Sequence, residues 1–157
     1  AYLLPGFIVL WGLSGESETL RTWLGASTTD SPTVGGFLYV TLGSVAAGLV
    51  VSTIRWLIVD TVHHRTGIPR PNWNFARLGP NLGAFDLLNE QHYRYYQFHS
   101  NTLIAVAIWW IVGGQPDGAG WGSAVAIGLM AVLFIGSRDT LRKYYRRGEA
   151  LLSERSR

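Results

Sequence analysis

The sequence predicts an all-α integral membrane protein with four transmembrane helices, three of them plain, and with helical extensions into the cytoplasm. Three observations predict it. Apolar runs approach the roughly 20 residues that a helix needs to cross a bilayer. Charged residues make up 15% of the chain, where a globular sequence carries about a quarter. The basic residues gather beyond one end of those runs, and Arg21 alone lies beyond the other. With 48% apolar residues and a formal charge of +3, the distribution of charge is more informative than its size. No cysteine is present, which excludes a disulfide scaffold, a thiol nucleophile and a Cys-ligated metal.

Residues 1–13 (AYLLPGFIVLWGL) form the first span. As a helix they reach only about 20 Å at ~1.5 Å per residue. That is short of the ~30 Å hydrocarbon core, so a truncated span is expected. Residues 14–33 are a polar loop in which Arg21 accompanies Glu16, Glu18 and Asp30. The second span, 35–59, is the clearest, with Arg55 as its one charge. Arg55 is expected to snorkel to the interface, with Trp56 as an aromatic anchor. The helix runs on through Arg65 and stops at Gly67, with Pro69 and Pro71 beyond.

Residues 67–80 read as a loop punctuated by Pro, Gly and Asn. A helix starting near Asn81 then continues without proline to Val112. Its polar-aromatic first half is cytoplasmic, and 98–113 is the third span. GGQPDGAG (113–120) is a tight turn, 120–136 the fourth span, and 137–157 a basic cytoplasmic tail. Residues 60–97 are then a cytoplasmic helix–loop–helix, and the whole chain is one membrane domain. Placing the loops at 14–33 and 113–120 outside leaves every Lys and Arg except Arg21 inside, as the positive-inside rule requires.

Small residues mark packing faces. Ser44, Gly48 and Ser52 recur every fourth residue, as do Gly120, Ala124 and Gly128. Such residues let helix backbones approach closely where lipid offers no hydrophobic drive for association. Packing within the chain is the plain expectation for both stripes. Packing between subunits is the alternative, because four short spans enclose little space and a pore would need an oligomer.

The polar chemistry concentrates in His63–Thr102, which holds all four histidines. His63 and His64 are neighbours and point about 100° apart on a helix. His92 and His99 share a face two turns apart, and no HxxxH or HxxEH spacing occurs. No metal or cofactor is expected, and the histidines read as interfacial or hydrogen-bonding residues. Asp86, Glu90 and Arg94 step by four in the acidic-before-basic order that stabilises a helix, which reads as a surface ladder. No nucleophile elbow, P-loop or dinucleotide fingerprint is present.

Basic and aromatic residues interleave more suggestively. His64, Arg65, Arg70, Trp73 and Arg77 precede or open the second cytoplasmic helix, and His92, Arg94 and Tyr95 lie on it. Arg138, Arg142 and Arg146 form a further stripe, with Lys143 and Arg147 beside it. Guanidinium forks suit phosphate and aromatic faces suit bases, so this set is the candidate site for a nucleotide or short oligonucleotide. The same residues also suit anionic lipid headgroups. His99, Ser100, Asn101 and Thr102 enter the bilayer at the start of the third span. Polar side chains there face protein or a water-filled cavity, so these four either line a pore or bond to Ser52 or Thr53.

In format, the chain resembles small multi-span effectors of bacterial anti-phage defence systems. The resemblance lies in short spans, long helices entering the cytoplasm, and the basic-aromatic stretch from Arg65 to Tyr96. It implies a homo-oligomer in the lipid bilayer of the bacterial inner (cytoplasmic) membrane, with a cytoplasmic C-terminus. It further implies an ion channel opened by a cytosolic nucleotide, oligonucleotide or partner protein. A membrane enzyme acting on a lipid or isoprenoid phosphate through His92, Glu90 and nearby Arg is one alternative. A membrane anchor for a soluble partner is the other. The format is also similar to that of the glutathione-handling MAPEG enzymes, but Glu90, Arg94 and Asn101 lack that family's spacing, so its activity is not carried over.

Overall fold

The polarity pattern folds into long antiparallel helices whose apolar parts stand side by side and whose polar ends meet at one end of the bundle. The computed structural model of the chain describes residues 1–24, 34–113 and 120–152. Most of the expected turn at 113–120 and the last five residues of the basic tail lie outside them. Among the described residues the chain is all-α, with no strand. Helix α1 spans Leu3–Leu13 and α2 spans Glu18–Trp23. Helix α3 runs Val34–Arg65 and contains a π-helical turn at Trp56–Asp60. A 3-10 turn at Phe75–Arg77 leads into α4, which runs 78–112 with a second π-helical turn at Asn89–Tyr93. Helix α5 is Trp121–Leu152.

The chemistry of the helix ends explains where they stop and start. Gly67 adopts a φ of 97°, and the Ile68 N–H donates to the His63 carbonyl at 3.1 Å. This is a Schellman end, whose left-handed residue after the helix is easiest for glycine. Helix α4 starts at Leu78, earlier than the expected Asn81, because Pro80 falls in its first turn. Proline is tolerated there, since the first N–H groups of a helix need no intrahelical partner.

Close backbone approach sets the packing of α1. It lies antiparallel on α3, with Gly6 beside Ser44 and Gly48 beside Tyr2. A Cβ on Gly6 would lie 1.7 Å from the Ser44 carbonyl oxygen, and one on Gly48 would lie 2.1 Å from that of Tyr2. Ser44 and Gly48 are therefore buried under α1, and Ser52 is half-buried further along. The stripe on α5 behaves differently. Ala124 and Gly128 are exposed, and a Cβ on Gly128 would meet nothing within 4 Å. The expected packing of this stripe within the chain is not made, because Ser123, Ala126, Leu133, Ser137 and Leu141 supply the buried face of α5 instead.

Two cores result. Val9, Val51, Val59, Ile104 and Ala105 join α1, α3 and α4. Ile68, Tyr96 and Leu141, flanked by Tyr93 and Tyr145, join the loop after α3 to α4 and α5 at the polar end. Helices α3 and α5 are both 32 residues long and apolar enough to cross a membrane. Only 17% and 22% of their most apolar stretches is buried. Phe37, Leu42, Val132 and Ile135 are among the side chains that point outward.

One expectation about charge is corrected. Arg55 does not snorkel outward; it is 5% exposed, and its Nη1 lies 3.3 Å from Asp60 Oδ1. The π-helical turn starts at the next residue, and its hydrogen bonds run from i to i+5. It thereby brings Asp60 over Arg55, and the guanidinium finds its partner inside the bundle. Trp56 does point outward, as an anchor would.

Candidate functional site

The sharp turn after α3 determines the site. Gly67 reverses the chain, Pro69 and Pro71 hold the next residues extended, and this strap lies against the polar end of α5. Between strap and helix is a cleft of about 340 Å³, lined by Ile68, Arg70, Pro71, Arg142, Tyr145, Arg146 and Glu149 among others. Arg142 and Arg146 are four residues apart and so share a face of α5, while Arg70 approaches from the strap. Three guanidinium groups thus border one hollow.

Most of the other cations are engaged within the chain. Arg94 pairs with Glu90 at 3.2 Å and Lys143 with Asp139 at 2.6 Å. Arg138 leaves the expected stripe to donate to Thr66 Oγ1 at 2.6 Å and to the Thr66 carbonyl, which caps the end of α3. Arg147 donates to His92 Nε2 at 2.6 Å. Arg21 pairs with Glu18, and Arg55 with Asp60. Arg70, Arg142 and Arg146 have no hydrogen bond or ion pair among the described residues; nor has Arg65, which is exposed and lies outside the cleft. A second hollow of about 330 Å³, between Leu87 and Leu151, has only Arg147 as a cation, and that group is already held by His92.

The aromatic residues expected to offer stacking faces pack against one another instead. The Trp73 ring meets Phe85, Tyr144 and Tyr145 edge-on, with centroids 5.6, 5.4 and 6.0 Å away. It also sits over Gly148, where a Cβ would come within 2.5 Å of the indole. Tyr93 packs on Tyr96 and Tyr144. Tyr145 stacks on His64 at 6.1 Å, and its hydroxyl is 3.1 Å from His64 Nε2. Burial, with Tyr93 and Tyr145 nearby, pushes the Tyr144 hydroxyl up to about 12, and burial raises Tyr145 in the same direction. Both phenols are neutral near pH 7. Burial, then the Arg70 charge, holds His64 below its ordinary value.

The remaining expected residues are scattered. Arg65 is exposed at the end of α3, and Arg77 sits at the entry to α4. Tyr95 is exposed on α4, and Arg94 is engaged with Glu90. An Arg can only donate, so His92 Nε2 accepts from Arg147 and the ring is neutral. Burial, then Arg147 and Lys143, lowers the His92 pKa accordingly. The basic-aromatic surface expected between Arg65 and Tyr95 is therefore divided. Arg70 belongs to the cleft with His64 behind it, while His92, Arg94 and Tyr95 do not line it.

Polar groups deeper in the bundle are turned toward one another. Tyr96 donates its hydroxyl to Asp60 Oδ1, and the Arg55 guanidinium lies 5.3 Å from the centre of the Tyr96 ring. His63 and Ser137 are both 0% exposed, with Nε2 and Oγ 2.9 Å apart. The one proton on Ser137 Oγ goes to the Phe134 carbonyl at 2.8 Å, so His63 Nε2 is the donor to Ser137. Burial, then Arg138, pushes the His63 pKa down to about 4. Such a buried serine, with its proton engaged, has no route to a substrate. His99 packs its ring over Gly136, and Ser100 donates to the Tyr96 carbonyl at 2.5 Å. Asn101 donates to the Ala1 carbonyl at 3.3 Å, and Thr102 is buried beside it. Ser100, Asn101 and Thr102 thus face helices of the same chain.

Tyr145 and Glu149 of the cleft carry no signal in the sequence, and Arg142 and Arg146 appear there only as one basic face of a tail. Among the described residues no group of His, Asp and Glu could hold a metal ion. Comparison with protein-family models, with curated proteins and with solved structures gave no match for this chain.

Proposed function

We propose that the chain is a four-span protein of the bacterial inner membrane, with spans at about 1–13, 35–59, 98–113 and 120–136. Its C-terminus is cytoplasmic, and it assembles with copies of itself into a channel opened by a phosphate-bearing ligand. The observation that carries this reading is the cleft, whose three lining guanidiniums have no hydrogen bond or ion pair among the described residues. Guanidinium forks match phosphate oxygens, and an unpaired set needs no prior interaction broken before a ligand binds.

The cleft is coupled to the spans mechanically. Its strap continues α3 and its other wall is α5. The two helices are tied just above it by Arg138 to Thr66, His63 to Ser137 and Tyr145 to His64. A ligand that draws Arg70 toward Arg142 and Arg146 therefore acts on two membrane-length helices together. The unused Ala124–Gly128 face of α5 supports contact between subunits, and its neighbours Val125, Ile127 and Val132 suit lipid. The enzyme alternative gains no support, because Glu90 and His92 are held by Arg94 and Arg147 in separate contacts. A role in anti-phage defence rests on the likeness in format.

Ion flux from liposomes carrying the full chain tests the proposal. A nucleotide, an oligonucleotide or an anionic lipid on the cytoplasmic side opens the wild-type oligomer, and R142A/R146A no longer responds. A purely monomeric protein, or an intact oligomer that conducts under none of these ligands, would overturn it.

A further inference from the structure

The cleft also narrows what its ligand can be; this step rests on the preceding reading of the cleft as an anion site on the cytoplasmic face. A nucleotide needs phosphate donors and a face for its base, and stacking on an aromatic side chain contributes about 1–3 kcal/mol per base. The cleft has the donors and lacks the face. Tyr145, its one aromatic residue, is stacked on His64 with the rings 12° from parallel. Trp73 lies behind it, hemmed in by Phe85, Tyr144 and Tyr145. Besides Gly67 and the Asn72 amide, the other neutral lining groups are Ile68, Pro69 and Pro71, short apolar surfaces that suit hydrocarbon or glyceryl carbon rather than a heterocycle.

Depth points the same way. If the last span ends at Gly136, Arg142 stands about 9 Å beyond the hydrocarbon at ~1.5 Å per residue, and Arg146 about 15 Å. The headgroup layer occupies roughly 5–8 Å on each side of the core, and an Arg side chain reaches back toward it along its methylene stem. Glu149 lies on the same wall of the cleft. Its carboxylate repels additional negative charge and accepts hydrogen bonds from hydroxyl groups. That combination disfavours a polyphosphate and favours one phosphodiester beside hydroxyl donors.

We infer that the cleft binds the headgroup of an anionic phospholipid from the cytoplasmic leaflet, with Arg70, Arg142 and Arg146 on the phosphodiester and Glu149 on the headgroup hydroxyls. The channel would then be set by the lipid around it as well as by any soluble signal.

The test uses the full chain in phosphatidylcholine nanodiscs, with and without phosphatidylglycerol, and parallel phosphatidylcholine samples given ATP or inorganic phosphate. Thermal unfolding and native mass spectrometry report stabilisation and retained lipid. Phosphatidylglycerol is expected to raise the wild-type Tm and to remain bound, with neither soluble anion matching it. Loss of two charge-assisted contacts in R142A/R146A weakens lipid retention by roughly tenfold or more. R142K/R146K keeps the charge, loses the fork and falls between, which separates phosphate geometry from misfolding. R94A, outside the cleft, keeps the wild-type response. A cleft-dependent stabilisation by ATP or phosphate equal to that by the lipid overturns the lipid inference and leaves the anion site standing. No cleft-dependent response to any of the three overturns both.

Discussion

The inner and outer parts of the polar half of this molecule treat the same kinds of side chain in opposite ways. Inside the bundle, Arg55, Asp60 and Tyr96 close on one another, and His63 closes on Ser137. At the cleft, Arg70, Arg142 and Arg146 are left open although Glu149 is a neighbour. Burial makes the difference. A charge removed from water must be paired or it destabilises the fold by several kcal/mol, whereas a solvated guanidinium can stay unpaired at little cost. Paired groups therefore hold the helices together, and unpaired ones are available to a ligand.

Removing a partner inside should have the largest effect. Asp60→Ala leaves Arg55 buried and unpaired, and the expected loss is about 3–5 kcal/mol of unfolding free energy. Denaturant titration in detergent measures it, and a variant as stable as the wild type would show that the inner network does not anchor α3 to α4.

The next effect is on pH dependence. His63 has a folded pKa of about 4 against 6.5 for an ordinary His, so the unfolded chain binds the proton more readily. Its contribution is complete above pH 6.5 and declines as pH falls from there through about 4. His64 and His92 are lowered too and add slopes of the same sign. Melting curves between neutral and acidic pH should therefore steepen in the wild type and flatten in His63→Asn. Equal slopes in the two proteins would mean that His63 is accessible to protons in the folded state.

Two glycines sharpen the contrast between covered and open faces. Gly6→Leu drives a side chain into the Ser44 carbonyl and should destabilise the chain by about 1–3 kcal/mol, in line with overpacking elsewhere. Gly128→Leu enters open space and should leave the stability of the single chain within about 0.5 kcal/mol. If the Gly128 face joins subunits, the second variant changes the oligomer seen by native mass spectrometry while the first does not. An unchanged oligomer with Gly128→Leu assigns that face to lipid alone.

Much of the fold is legible in the residues. The apolar stretch from Gly35 and the stop at Gly67 follow from composition and from one glycine followed by two prolines. The placement of Arg55 does not, because a π-helical turn leaves no mark in helical periodicity. Trp73 looks like a free stacking face in the sequence and proves to be a wedge against Gly148, a contact between segments some seventy positions apart. The cleft is legible only in halves. Arg70 stands out beside its prolines and Arg142 with Arg146 as one helical face, yet nothing local says that the two halves meet.

The sequence by itself determined the all-helical class, the long apolar stretches and the end of the helices at which the basic residues collect. These depend on length, polarity and end-capping, which act within a few residues along the chain. Only the tertiary structure decided which cations are left without a partner. Pairing depends on which distant side chains meet, and burial makes it obligatory for Arg55, while water leaves Arg70, Arg142 and Arg146 free of it among the described residues.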